Sequence, residues 1–216
     1  MATLLQMRAR VKSSLGNKGN INDDVDNAIN EAMWQLIWEV KPHEATNMVS
    51  FDTTDSDYDY GFTDDLSDEE IYAPFLVFDD TRDYLLTNGS FEEFLRTRKD
   101  GSKGNPTKWT RYKNELILYK SIPDGTSRTI EVYYIKRLSK MTSESDVFPL
   151  NDEWIYPTEE LATAIMFSRL KQFDASAAHY QAYQLSIGSR DTPEMVDQEA
   201  PEGGFMFISN PVTRRG

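Results

Sequence analysis

Cysteine is absent from the chain, which removes a disulfide framework, a thiol nucleophile and a thiolate metal site together. Histidine is scarce as well. Only His43 and His179 occur, and neither lies in a His-Glu-x-x-His pattern or beside a nucleophile elbow. Enzymes need a reactive group with a partner that activates it, so both histidines read as surface or packing residues. No apolar run approaches the ~20 residues that cross a bilayer. The opening Met1-Ala2-Thr3-Leu4-Leu5 starts a polar-interrupted pattern rather than a signal peptide. Positive charge is in deficit: 23 Lys and Arg stand against 36 Asp and Glu, a formal net charge of −13. Duplex binding depends on clustered cations at phosphates, so this balance argues against a protein that binds duplex DNA by itself.

What is present suits an ordinary globular core. Hydrophobic residues make up 39% of the 216 positions and charged residues 27%, with four Trp, eleven Tyr and eleven Phe. A chain of this length buries roughly 70% of its unfolded surface without staples. Charge is uneven along it. Between residues 52 and 80 there are eleven acids and no Lys or Arg, while residues 96–113 hold seven basic residues against Asp100 alone. Two differently solvated loops account for this as readily as two contact faces do.

Leu4, Met7, Val11 and Leu15 recur at helical spacing, with Gly16 where a C-terminal cap belongs. Asn22 offers an N-cap to a second helix, with Asp23 and Asp24 in its first turn. Val25, Ala28, Ile29, Ala32, Met33, Leu36, Ile37 and Val40 form its apolar stripe, and Pro42 stops it. The short link predicts an antiparallel helix hairpin.

After Pro42 the period changes to two. Residues 48–53 read as a half-exposed strand, 55–61 as a turn, and 71–78 as a strand that Pro74 confines to an edge or bulge. Ser90 with Glu93 reads as a capping box before Phe94 and Leu95. Residues 100–106 read as a mobile loop. Strands at 108–112, 115–120 and 129–135 then form a meander, turned at Lys113-Asn114 and at Pro123-Asp124-Gly125.

Helical period returns after Phe148. Asn151 or Tyr156 is the expected cap, Pro157 suits a first turn, and Leu161, Ile165, Leu170 and Phe173 are expected apolar contacts. After a break near Asp174, Ala177, Tyr180, Tyr183 and Ile187 continue to Gly188. Residues 191–216 have no period and carry Pro193, Pro201, Gly203, Gly204 and Pro211, which reads as an extended tail. The expected class is α+β: a helical bundle from the N- and C-terminal helices, an inserted small antiparallel β domain and that tail. The division is 1–42, 43–147, 148–190 and 191–216.

Candidate chemistry is thin. Gly101-Ser102-Lys103-Gly104 lacks the Walker spacing. Asp55, Asp57 and Asp59 have the spacing of calcium ligands, but position six of such a loop is Tyr60 and position twelve is Leu66, where glycine and a bidentate Glu belong. An acidic solvated turn is the better reading, and no metal or cofactor is expected. Asp64 and Asp65 are paired carboxylates with nothing to give them opposed environments. Phe205-Met206-Phe207-Ile208 is a dense apolar tetrapeptide in a polar tail. Docking on a partner, or addition to a sheet edge, would bury it.

The order of features is informative: Trp34 and Trp38 on a helix, Gly104-Asn105-Pro106-Thr107, Asn114-Glu115-Leu116-Ile117-Leu118-Tyr119, Ile122-Pro123-Asp124-Gly125, Ile130-Glu131-Val132-Tyr133-Tyr134, Phe148-Pro149-Leu150 with Trp154, and Ala177-Ala178-His179-Tyr180. Over residues 4–190 this resembles the head-to-tail adaptor proteins of tailed phages, particularly the podophage head-completion group. The resemblance implies a non-enzymatic virion protein of the neck, made in the host bacterial cytoplasm. It implies a ring, usually of twelve subunits, under the portal protein, presenting a surface to a tail or nozzle protein and passing viral DNA without sequence-specific binding. A ring uses heterologous contacts, and opposite charges on two faces steer such contacts. The expected inter-subunit residues are then Asp64, Asp65 and Asp68 against Lys103, Lys108 and Arg111. The expected partner-binding residues are Phe205, Met206, Phe207, Ile208, Arg214 and Arg215. The alternatives are an acidic metal-dependent hydrolase and a soluble module for a basic partner; no membrane contact is expected.

Overall fold

The computed structural model describes residues 1–17, 19–53, 57–62, 71–99, 103–120 and 126–188. Thr3 caps α1 (Leu4–Ser14) through a full capping box: its Oγ1 accepts from the Gln6 amide at 3.4 Å, and Gln6 Oε1 accepts from the Thr3 amide at 3.0 Å. Gly16, at φ +74°, takes the left-handed turn that a side chain resists. Helix α2 (Asn22–Val40) follows. Asn22 does not cap it. Asn22 is already helical, and its Oδ1 accepts from Lys12 Nζ at 2.9 Å because α1 lies alongside. Arg8 pairs with Asp26 and Lys12 with Asn22, so the two helices run antiparallel. Lys41 in left-handed geometry closes α2 one residue before Pro42.

Two further helices complete this layer: α4 (Ile155–Arg169) and α5 (Phe173–Gly188), turned by Lys171 at φ +59°. A 3₁₀ turn at Asp152–Trp154 feeds α4, so Trp154 holds the cap position, and neither Asn151 nor Tyr156 does. Leu4, Met7, Leu36, Ile37, Leu161 and Met166 are among the residues of one core beneath α1, α2, α4 and α5. Each such side chain contributes about 1.5–3 kcal/mol by leaving water. Ala73 and Ile135, register partners in the sheet, join the same core. Of the expected apolar positions, Leu161, Ile165, Tyr183 and Ile187 pack in the helical core, whereas Leu170, Phe173, Ala177 and Tyr180 are exposed, Phe173 by 66%, and Met166 and Phe167 are buried in addition. The helix break falls earlier than Asp174, at residues 170–172.

The strands are β1 (Thr46–Asp52), β2 (Asp59–Gly61), β3 (Ile71–Asp79), β4 (Tyr84–Asn88), β5 (Lys108–Tyr112), β6 (Glu115–Leu118) and β7 (Thr129–Lys136). They form one sheet in the order β1-β7-β3-β4-β5-β6-β2. The expected three-strand meander is corrected: β5 and β6 form a hairpin at Lys113 (φ +55°), but β7 crosses away to lie between β1 and β3. Its alternating pattern, with Ile130, Val132 and Tyr134 fully buried, suits a central strand rather than a third meander strand. The Pro123-Asp124-Gly125 turn lies outside the described residues. The sheet is also neither small nor wholly antiparallel, since β4 and β5 pair in parallel across α3 (Phe91–Lys99). Residues 59–61 form a strand against β6, where a turn was expected. Pro74 sits between two register shifts of β3, at a stretch paired with β7 alone, as its missing donor demands.

All seven strands contribute to a second core, including Phe51, Tyr60, Val77, Leu86, Trp109, Leu116 and Ile130. Phe51 and Tyr60 belong to β1 and β2, the two ends of the strand order, yet their rings lie 4.8 Å apart. The sheet therefore curls until its ends approach. Among the described residues the fold is mixed α+β, with five helices and a curled seven-stranded sheet.

Candidate interaction surfaces

The basic residues singled out from the sequence sit around α3 and the β5–β6 hairpin. Ser90 Oγ accepts from the Glu93 amide at 3.2 Å, which is half of the expected capping box. The other half is missing because the Glu93 carboxylate pairs instead with Lys108 Nζ. Phe94 anchors α3 in a small core with Ile117 and Tyr119. The Tyr119 hydroxyl donates to the Ser90 carbonyl, and a Cβ on Gly89 would lie 2.2 Å from that hydroxyl oxygen, so position 89 needs glycine. Phe91 stacks on Tyr112 at 4.1 Å, with Lys113 Nζ over the far ring at 5.2 Å.

Arg111 is tied to its own subunit. Its Nε donates to the Lys113 carbonyl at 2.9 Å, Nη1 donates to the Tyr72 carbonyl, and the guanidinium lies over Phe62. Burial, aided by the charge of Arg137, pulls its pKa below the usual arginine range. Lys103 is exposed on the loop before β5. The structure thus gathers Lys108 and Arg111 on one β-hairpin but gives both of them partners within the chain. Asp64, Asp65, Asp68 and Asp55 lie outside the described residues, as do Phe205, Met206, Phe207, Ile208, Arg214 and Arg215. Asp57 and Asp59 are exposed on the extended segment entering β2, where the Tyr58 carbonyl accepts from the Leu118 amide at 2.8 Å. Among the described residues, no group of three or more His, Asp or Glu is placed to hold a metal ion.

His179 stacks on Phe167 at 5.3 Å, and its Nδ1 lies 2.8 Å from Glu160 Oε2. Glu159 is held by Arg10 at 2.9 Å, and its burial still raises the carboxyl above the usual range. The groove between α2, α4 and α5 is shallow, about 290 Å³, with Leu161, Ile165 and Tyr180 in its wall and the Glu31–Arg169 pair along it. Such a groove takes a side chain of a partner more readily than it encloses a small substrate.

Two surfaces escaped the sequence reading. On the helical side, Tyr72 meets Trp34 at 5.0 Å and Trp38 at 6.3 Å, with Trp38 48% exposed; Trp and Tyr at such exposed junctions are common anchors of protein interfaces. The two Trp are spaced by four, a visible signal, but Tyr72 arrives from β3. The second is the edge of β1, where Met48 is 43% exposed.

A family model with the description SU10 adaptor protein matches residues 2–205. The chain belongs to the SU10 adaptor protein family. No curated protein matches it closely enough to count as a relative. Membership in this phage adaptor family carries a structural role in the virion and contacts with other phage head and tail proteins. In this adaptor no described helix is long and apolar enough to cross a membrane.

Proposed function

We propose that this adaptor subunit assembles into a ring of twelve between the portal and a tail or nozzle protein, at the neck of the virion, with DNA passing through the centre. The observation that carries the reading is the family match over nearly the whole chain. The charge distribution supports it. Residues 52–80 carry eleven acids and no Lys or Arg, while residues 96–113 carry seven basic residues against one acid. A head-to-tail contact between unlike faces of neighbouring subunits uses such a difference. In this reading Asp64, Asp65 and Asp68 meet Lys103, Lys108 and Arg111 across the interface. Phe205, Met206, Phe207, Ile208, Arg214 and Arg215 reach a partner, the helices and the β part act as separate units of the subunit, and no catalytic step is involved.

Native mass spectrometry of the chain with the portal protein of its own phage tests this. A cyclic oligomer is expected on the portal; a chain that stays monomeric in the portal's presence overturns the reading. Reversing Lys103, Lys108 and Arg111 to Glu should impair ring assembly or docking, and unchanged assembly at low salt rules out the charge contact.

A further inference from the structure

Alternation divides the side chains of β1, β7, β3 and β4 between two faces. Phe51, Val132, Val77 and Leu86 point into the curl and belong to the sheet core. The opposite face carries Met48, Tyr133 and Leu76 in one register row, and Ser50, Glu131, Phe78 and Leu85 in the next. Five of these seven are aliphatic or aromatic, yet none of the five belongs to a hydrophobic core among the described residues. Met48 and Leu85 are each 43% exposed. The one charge in the two rows is Glu131, whose Oε2 accepts from the Tyr133 hydroxyl at 3.0 Å. The helical layer reaches this face at one end, where Ile135 and Ala73 join the helical core.

A second surface of the same kind lies on α5. Residues 175–188 contain no Asp, Glu, Lys or Arg, although charged residues make up 27% of the chain. One side of α5 packs inward through Tyr183 and Ile187. On the outward side Phe173, Ala177, Tyr180, Gln181 and Leu185 recur at helical spacing and are exposed, Phe173 by 66% and Leu185 by 67%. Asp174 stands at the start of the helix, and the neighbouring Glu39 carboxylate accepts from Tyr183 and Gln184. A surface helix normally turns a charged face to water. A helix without one is suited to contact on both sides.

We infer that ring neighbours meet through these two surfaces: the outward side of α5 in one subunit lies on the outer face of β1, β7, β3 and β4 in the next. The inference rests on the ring reading and names the surfaces that close the ring. A ring contact is heterologous, so one chain must carry both halves. Copies with a net charge of −13 repel each other. They approach closely only where few charges lose water, since burying an unpaired charge is costly. The dimensions agree as well. The sixteen residues of α5 make a helix about 24 Å long, and four neighbouring strand axes span about 14 Å, so one helix reaches across all four strands.

Cysteine pairs test this on the full chain bound to the portal of its own phage, because the chain has no cysteine of its own. Leu85→Cys with Leu185→Cys, and Met48→Cys with Phe173→Cys, each place one thiol on either surface at an exposed position. With a short bis-maleimide, at least one of the two double variants should give a ladder of covalent multimers on denaturing gels, at least tenfold stronger than in the single variants. A cyclic oligomer in native mass spectrometry with no ladder from either pair overturns this inference and leaves the ring reading standing. Absence of a cyclic oligomer from the unsubstituted chain overturns both. A covalent dimer of the Leu185→Cys chain alone, or its link to the portal, also overturns the inference, by assigning α5 to its own copy or to the portal.

Discussion

The helical core and the sheet core are held in different ways. Beneath α1, α2, α4 and α5 the fully buried side chains are almost all Leu, Ile, Met, Val and Ala, supplied by a few helical stripes. The sheet core draws on all seven strands and packs Trp109, Tyr60 and Tyr134 with Phe51. It also borders a wholly buried carboxylate, Asp79, whose Oδ1 accepts from the Arg82 amide at 3.1 Å and whose Oδ2 lies 3.5 Å from Arg82 and 3.7 Å from Arg128. Arg128 in turn reaches Asn105, and Arg82 donates to the Pro106 carbonyl at 3.1 Å, so the loop before β5 is fastened through this charge. One layer tolerates a lost methyl group by partial collapse. The other depends on a single group whose removal leaves two cations short of compensation.

That contrast predicts a ranking of losses. Asp79→Ala should cost about 3–5 kcal/mol in urea unfolding, the penalty for breaking a buried pair. Leu36→Ala, in the middle of the helical core, should cost about 2–5 kcal/mol through lost transfer energy and a cavity. A smaller loss at Asp79 than at Leu36 would erase the distinction. The weakest effect is a pH dependence. Burial and the bond to Glu39 raise the Tyr183 hydroxyl well above its ordinary 10.0. The native state then keeps a proton that the unfolded chain gives up, so this stability is complete below about pH 10 and declines as pH rises further. Tyr183→Phe should flatten the decline between about pH 9 and pH 11, and an unchanged slope would assign it to other tyrosines.

The helices were legible because their information is local. Leu4-Met7-Val11 and Val25 through Val40 repeat at a period that one helix reads alone, and the first hairpin follows from a short link. The β5–β6 hairpin was legible for the same reason. Strand order was not: β7 joins β1 and β3, whose residues lie at least fifty positions earlier, and β4 pairs in parallel only because α3 carries the chain over. The run from Phe173 to Ile187 was half legible: Tyr183 and Ile187 pack as their spacing predicts, while Phe173, Ala177 and Tyr180 are exposed, because which side of α5 meets α4 and α2 is set by the tertiary packing and not by the local period. The charge blocks were visible, but the bonds of Lys108 to Glu93 and of Arg111 to the Tyr72 carbonyl join segments that only the fold brings together.

The pairing of distant segments has a consequence for synthesis. The bridge of Thr3 to Val147, the contacts of α2 with α4, and the pairing of β1 with β7 each join an early residue to a late one. While the ribosome is still adding the middle of the chain, the apolar stripes of α1 and α2 have only each other, and β1 has no neighbour on either side. The sheet core therefore has all its strands only once β7, to Lys136, has emerged, and the helical core only once Tyr183 and Ile187 have. A nascent chain with so many non-local contacts folds slowly and exposes sticky surface meanwhile, which makes the concentration of unfinished copies, rather than of finished ones, the quantity a host cell must restrain.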